Sequence, residues 1–314
     1  MIVQSTLSRL NRAFFECQFK QNESKQKTFF VVSSTLCACF AILLMSILIC
    51  RFVIRTVEYT VPLNNVTVPV RIAVISDLHG LEFGKANARL IEKIRAQEPD
   101  TIFLVGDMIE SDADEADVRR LLVLIETLCE TAPVYFAPGN HELEYMETDA
   151  SLLDQVAAAG ATVVNDSYVD VTIAGQTLRI GGTMGHGFYF GRSQEEFESS
   201  PEYQFLKDFE QTDAPKICLA HMPDTFIFNG AYNLWDVDLV ISGHTHGGLV
   251  RLPFVGGLYA PMQGWFPTYD LGQFQLGTHM QLIITAGLTG HGWVPRVNNP
   301  PEIAVVELVP QTNS

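Results

Sequence analysis

Basic residues are scarce in this chain: 20 Lys and Arg stand against 36 Asp and Glu in 314 residues, a net charge of −16. The shortage is uneven. Residues 1–55 carry Arg9, Arg12, Lys20, Lys25, Lys27, Arg51 and Arg55 against Glu16 and Glu23, a balance of +5 that leaves −21 for the remainder. A body that acidic repels a polyphosphate backbone, which argues against nucleic acid as a partner and against a nuclease. Cysteine is also rare there. Cys17, Cys37, Cys39 and Cys50 come early, and only Cys129 and Cys218 follow, each in an apolar run. That leaves no disulfide framework, and both read as small core residues. Glycine (23) and proline (15) are too few for a collagen-like or low-complexity chain. A hydrophobic content of 47% with 18% charged residues excludes disorder. No internal repeat is present, and no linker is long enough to split the body.

What the sequence does have is one long uncharged run, Thr28 to Cys50. Twenty-three residues at ~1.5 Å each make roughly 35 Å of helix, enough to cross a ~30 Å hydrocarbon core with some tilt. A buried core helix of that length would show a polar face. A cleaved signal has a shorter apolar region and a small-residue cleavage site, whereas Arg51-Phe52-Val53-Ile54-Arg55 follows here. The run therefore predicts an uncleaved single-pass anchor in the cell membrane. The expected organisation is a basic head at 1–27, an anchor at 28–55 and a body at 56–314. Five basic residues before the span against two after it favour a cytoplasmic head and an extracytoplasmic body.

From about Thr67 the chain alternates short apolar runs with helical patterns. Strands are expected at Val70–Ser76, Thr101–Val105, Val134–Ala137, Lys216–Ala220, Asp238–Ser242, Gln281–Ala286 and Ile303–Val309. A hairpin over Val169–Gly181 turns at Ala174-Gly175. Helices are expected at Asn87–Gln97, Asp114–Cys129 and Ser151–Ala159, the last closed by Gly160. This order indicates an α/β body with mixed sheets.

Polar residues cluster where the strands end. The first runs into Asp77-Leu78-His79, the second into Gly106-Asp107, and the third into Gly139-Asn140-His141-Glu142. Later strands end at His221 and at Gly243-His244-Thr245-His246. Ligands of open α/β sheets bind beyond the carboxyl ends of the strands, so five such ends can converge. Singly, each group has an ordinary explanation: Asp107 as a helix cap, Asn140 as a turn former, His221 as a core histidine, His-x-His as chance. Together, in order and flanked by glycine, they read as a metal site. Asp77, His79, Asp107, Asn140, His221, His244 and His246 offer imidazole and oxygen but no thiolate, a set suited to Mn, Fe, Zn or Co. Asp77 with His79, and His244 with His246, are two apart, so an extended backbone would aim each pair at one cavity. Seven ligands exceed one tetrahedral ion and suit two ions sharing a carboxylate, the clamp used for in-line displacement at phosphorus.

These blocks resemble the five signature blocks of calcineurin-like metallophosphoesterases, over roughly residues 70 to 309. The stretch His244-Thr245-His246-Gly247-Gly248-Leu249-Val250-Arg251-Leu252-Pro253 and the later Asn299-Pro300-Pro301-Glu302-Ile303 are similar to the bacterial membrane-associated phosphodiesterase branch. The resemblance implies a four-layer αββα sandwich with two mixed β-sheets. It implies one divalent ion on Asp77, His79, Asp107 and His246, and a second on Asp107, Asn140, His221 and His244. Manganese comes first among the candidates, with Fe, Zn, Co and Mg also compatible. His141 matches a histidine that contacts the phosphoryl oxygen or protonates the leaving group.

A small or lipid-linked phosphodiester is the implied substrate, cleaved by a hydroxide that bridges the ions. One alternative is a UDP-2,3-diacylglucosamine pyrophosphatase of lipid A synthesis, and another is a non-catalytic metal-binding scaffold. Related chains often carry Ser-Arg where this one has Thr285-Ala286, so an arginine that could meet an anionic substrate is missing there. His186 and His291 are secondary candidates to line the substrate entrance, set against ordinary loop roles, and Trp265, Phe266 and Tyr269 are candidates to meet a lipid chain, set against local packing in Gly-rich turns.

Overall fold

The computed structural model describes residues 2–185, 194–290 and 294–311, and the chain divides into two units, Met1–Ile49 and Cys50–Ser314. Residues 2 to 52 form one helix, α1 (Ile2–Phe52). Its Lys25–Phe52 portion is long and apolar enough to cross a bilayer, and none of that window is buried.

The body is built on two six-stranded mixed sheets. The first contains β1 (Arg55–Leu63), β2 (Val70–Ile75), β3 (Thr101–Val105), β4 (Val134–Ala137), β5 (Thr162–Val163) and the C-terminal β16 (Glu302–Pro310), in the order β1-β16-β2-β3-β4-β5. Strands β2 to β5 are parallel, and β16 runs antiparallel to β2. The second sheet contains β6 (Ser167–Ile173), β7 (Gln176–Thr183), β8 (Lys216–Ala220), β9 (Leu239–Ser242), β14 (Gly272–Leu276) and β15 (Met280–Ile284). Its order is β14-β15-β9-β8-β7-β6, parallel from β15 to β7. Two small ribbons, β10 (Arg251–Leu252) with β11 (Gly256–Gly257) and β12 (Tyr259–Ala260) with β13 (Gly264–Trp265), stand between β9 and β14.

Apolar side chains from both sheets, among them Val74, Phe103, Ile180, Leu219 and Ile241, form the core between them. Helices α2 (Ala88–Arg95), α3 (Glu115–Cys129), α4 (Asn140–Tyr145) and α5 (Leu152–Ala158) cover the outer face of the first sheet. Short α6 (Gln194–Glu198) precedes α7 (Pro201–Phe209), which with α8 (Asp224–Ile227) covers the second. The four-layer expectation is borne out. Each fully buried Phe or Ile of these layers contributes roughly 1.5–3 kcal/mol relative to exposure.

Local chemistry explains most boundaries. Asp114 caps α3 by accepting from the amides of Ala116 (2.8 Å) and Asp117 (2.9 Å), while Asp117 accepts from the Asp114 amide. Ala174 and Gly175 take left-handed φ of 51° and 87°, as a two-residue hairpin turn requires. The sequence does not announce β5, β14, the ribbon strands β10 to β13, or the longest of those missed, β1, which pairs in parallel with β16. It follows the apolar run almost directly, and its alternating Val57, Tyr59, Val61 and Leu63 are an edge-strand pattern easily read as a flank of the anchor.

Candidate metal centre

Strands β2, β3, β4, β8 and β9 end side by side, and the loops beyond them keep bonding to one another. The amide of Asp77 donates to the Gly106 carbonyl (3.0 Å), that of His79 to Asp107 (3.0 Å), and that of Gly243 to His221 (3.0 Å). The backbone there is not extended. Asp77, His79, Asp107, His244 and His246 have φ of 52°, 48°, 54°, 64° and 49°. Left-handed backbone is uncommon for residues with a Cβ and is held in place by its surroundings. The pairs at 77/79 and 244/246 therefore share a cavity through left-handed turns, which corrects the extended-strand reason inferred from their spacing. Glycine supplies the remaining room. A Cβ on Gly106 would lie 2.5 Å from His221 Nδ1, and one on Gly139 would collide with Asp107 Oδ1.

Asp107 is the centre of the arrangement. Its Oδ2 lies 2.9 Å from His221 Nε2 and 4.0 Å from Nε2 of both His79 and His141, while Oδ1 accepts from the His141 amide at 3.0 Å. Asp77 Oδ1 accepts from the His244 amide (3.0 Å) and lies 3.7 Å from His246 Nδ1. Three groups each bring possible ligand atoms within 4.8 Å of one another: Asp77 with His79 and His246, His79 with Asp107 and His141, and Asp107 with His221 and His244. Asn140 stands at the start of α4, and its Oδ1 is buried without a hydrogen-bond partner. A buried amide oxygen left bare beside this carboxylate–imidazole set is what a divalent cation would satisfy, so the residues fit such an ion. All seven ligand candidates and His141 belong to these five strand ends.

The imidazoles are held in defined orientations. His221 Nδ1 faces the Val105 carbonyl (2.9 Å) and His246 Nδ1 the Thr289 carbonyl (3.1 Å), so each ring is placed to donate Nδ1–H to that carbonyl and is fixed in orientation by it. Burial would raise Asp107, but His221 beside it, helped by His79 and His141, holds its carboxyl well below the usual range. Asp77 is lowered in the same way, with His246 and His221 outweighing burial. Asp107 in turn overcomes burial at His221 and pushes it up to about 10. Burial prevails at His244 and His246, taking them down to about 3 and about 4 and keeping both rings neutral.

Several functional partners were not read from the sequence. Glu110 lies 3.2 Å from His79 Nδ1 through one oxygen and 3.0 Å from His141 Nδ1 through the other. The Ser111 amide also points at His141 Nδ1 (3.2 Å), so that nitrogen either donates to Glu110 or accepts from Ser111 according to its proton. Glu142 is fully buried, and its carboxylate accepts from the amides of Asp107 (2.8 Å), Met108 (2.5 Å), Ile109 (3.2 Å) and Gly139 (2.8 Å). Burial and the charge of Asp107 push its carboxyl up. Arg296 is buried too and donates to the carbonyls of Ala286, Gly287, Thr289 and His246. The arginine missed at Thr285-Ala286 thus has a counterpart ten residues on, spent on backbone and not on substrate. Asn299 Nδ2 donates to the His246 carbonyl (2.7 Å). Only Glu142 had a signal in the sequence, its place in the Gly139–Glu142 block.

His186 and His291 lie outside the described residues. Tyr269 packs edge-on against Phe274 at 5.1 Å, whereas Trp265 and Phe266 are exposed.

The family model for calcineurin-like phosphoesterase matches residues 70–248. An uncharacterized metallophosphoesterase of Campylobacter jejuni is 27% identical over 261 residues, 81% of this chain and 63% of its own length. The phosphodiesterase YaeI of Escherichia coli is 27% identical over 248 residues, 77% of this chain and 83% of that one. A zebrafish (Danio rerio) transmembrane protein with metallophosphoesterase domain is 25% identical over 245 residues, 76% of this chain and 53% of that one. The chain thus spans less than two thirds of the Campylobacter relative.

Proposed function

The chain belongs to the calcineurin-like phosphoesterase family, and we propose that it is a membrane-anchored, metal-dependent phosphodiesterase. The observation that carries this reading is the single Asp107 carboxylate approached by His79, His141 and His221 from both sheets. Asp77, His79, Asp107 and His246 would hold one divalent ion, and Asp107, Asn140, His221 and His244 the other, with Asp107 shared. When bound, such a pair supplies a nucleophilic water near neutral pH and positive charge against the phosphoryl oxygens.

The chain's own groups do the rest. Glu142 fixes the two loops that carry Asp107 and Asn140. His141, half-buried at the start of α4, is placed to donate a hydrogen bond to a phosphoryl or leaving oxygen through Nε2. Glu110 orients His79 and His141 together from their Nδ1 side. The name of the Escherichia coli relative supports a phosphodiester substrate, and the apolar Lys25–Phe52 helix with the name of the zebrafish relative supports the anchor. The test is hydrolysis of bis(p-nitrophenyl) phosphate by the full-length chain in vesicles, across a series of divalent metals. No turnover with any of them refutes the reading.

Two further outcomes are expected. Glu110→Gln keeps the ions but lowers kcat by about 10–100-fold, the scale for outer partners of ligating histidines. Steady-state kinetics beside metal analysis checks it, and wild-type kcat would remove Glu110 from the site. Metal loading also depends on pH. A histidine must lose its proton to ligate, and His221 in the metal-free chain stays protonated up to about 10. Affinity therefore rises with pH from neutrality towards that value, with release of about one proton or more per chain. Calorimetry in buffers of different ionisation enthalpy reads this directly. No proton release at pH 7.5 would contradict it.

A further inference from the structure

Leu252 to Tyr269 is an 18-residue stretch without one charged side chain, in a chain of net charge −16. It contains both small ribbons except Arg251, and most of their apolar side chains are exposed. Phe254 is fully exposed, Trp265 is 67% exposed, and Val255, Tyr259, Met262 and Phe266 are exposed beside them. Phe254, Met262 and Phe266 hold left-handed φ of 66°, 60° and 55°, a costly backbone for side chains left this exposed.

The charged groups next to the stretch tie it down. Asp270 Oδ2 accepts from Arg251 Nη1 (2.7 Å) and the Gly257 amide (2.6 Å), and Arg251 Nη1 also donates to the Gly247 carbonyl (2.8 Å). Thr245 Oγ1, between His244 and His246, donates to the Asp270 carbonyl at 2.7 Å. The ribbons are therefore an apolar projection tied through Asp270 and Arg251 to the same loop that carries two ligand candidates.

We propose that these ribbons are a second bilayer contact, burying Phe254, Val255, Trp265 and Phe266 at the headgroup–acyl boundary. The inference rests on the anchored reading above. Val53 and Ile54 alone separate the end of α1 from β1, about 7 Å of extended chain. A bilayer that holds the helix is then the surface at the highest effective concentration around the body. Aromatic side chains with no charge to desolvate are suited to that boundary, where Trp and Tyr are enriched. The remainder of the body, at −21, is repelled by an anionic leaflet, so the uncharged projection is the part that approaches most closely. Exposed apolar clusters of this kind on a soluble surface mark interaction sites.

The test uses the full-length chain reconstituted in phosphatidylcholine vesicles, with ordinary or dibrominated acyl chains. Bromine quenches tryptophan on contact, and the difference between wild type and Trp265→Phe isolates the emission of Trp265. That emission is expected to be largely lost in brominated vesicles. Phe254→Trp, at a fully exposed position, is expected to add a second emission quenched in the same way. Hydrolysis of bis(p-nitrophenyl) phosphate reports on folding of the variants and is expected to stay at the wild-type rate. Co-sedimentation with vesicles, with the emission of Trp265 and the emission added by Phe254→Trp both unquenched, would overturn the ribbon contact. A chain that stays in the supernatant would overturn the anchor and the ribbon contact together. Quenching without hydrolysis by the wild type would support the contact while refuting the phosphodiesterase reading.

Discussion

Replacing Asp107 with Ala is expected to lower phosphodiester turnover by well over about 100-fold, beyond the scale set by losing an outer partner of a metal ligand. The reason is geometric. Asp107 takes part in two of the three groups of possible ligand atoms, and its oxygens meet groups from β8 and from the β2 and β4 loops. The neighbouring acids are already engaged: Asp77 with the His244 amide and His246, Glu142 with four amides, and Glu110 with His79 and His141. The variant should lose both ions, or hold one weakly. His141→Ala is the contrast. It removes a group placed against substrate and not a shared ligand, so both ions stay while turnover falls on the order of 10²–10⁴-fold, as for a lost general acid. Turnover and metal content measured on both variants separate the roles. Near-wild-type hydrolysis by Asp107→Ala with metal supplied would refute the shared-carboxylate assignment, and loss of metal in His141→Ala would make that histidine a ligand.

The second large effect is on stability, and it comes from a residue that touches no substrate. Glu142→Ala strands four amides, those of Asp107, Met108, Ile109 and Gly139, where no water reaches. Each buried donor without an acceptor costs about 1–3 kcal/mol, less whatever relaxation recovers. The net loss should be about 3–5 kcal/mol, as for removing one member of a buried charged interaction. In a body of this size that is a fall in Tm of roughly 10 °C. Glu142→Gln keeps the shape but turns one acceptor into a donor facing amides, so it should fall between wild type and Ala. Thermal melts of the full-length chain followed by circular dichroism read all three. Equal melting of Glu142→Ala and wild type would show that the two loops hold without it.

The buried parallel strands were legible because a run such as Thr101-Ile102-Phe103-Leu104-Val105 has little else to be; β3 and β4 have the limits expected from sequence. The start of α3 was legible because Asp114 carries its own capping chemistry. The composition of the site was legible too, since Asp, Asn and His standing at the ends of apolar strands are conspicuous. Its geometry was not. Left-handed backbone at Asp77, His79, Asp107, His244 and His246 is imposed by the ladder between loops and by close glycines, none of which is local in sequence. Glu110 and Arg296 were hidden for the same reason. A glutamate three residues after Asp107 and an arginine near a Pro gain meaning only once His79 and His141, or the Ala286–Thr289 carbonyls, are seen beside them.

The most direct check on the whole scheme is the number of divalent ions that the full-length chain binds. The chain is stripped with chelator, reloaded with manganese or zinc, and analysed for metal per chain. Two ions at saturation, falling to one or none in Asp107→Ala, is the result that the Asp107-centred arrangement requires. A saturating value of one ion, or none, in the unaltered chain would contradict it.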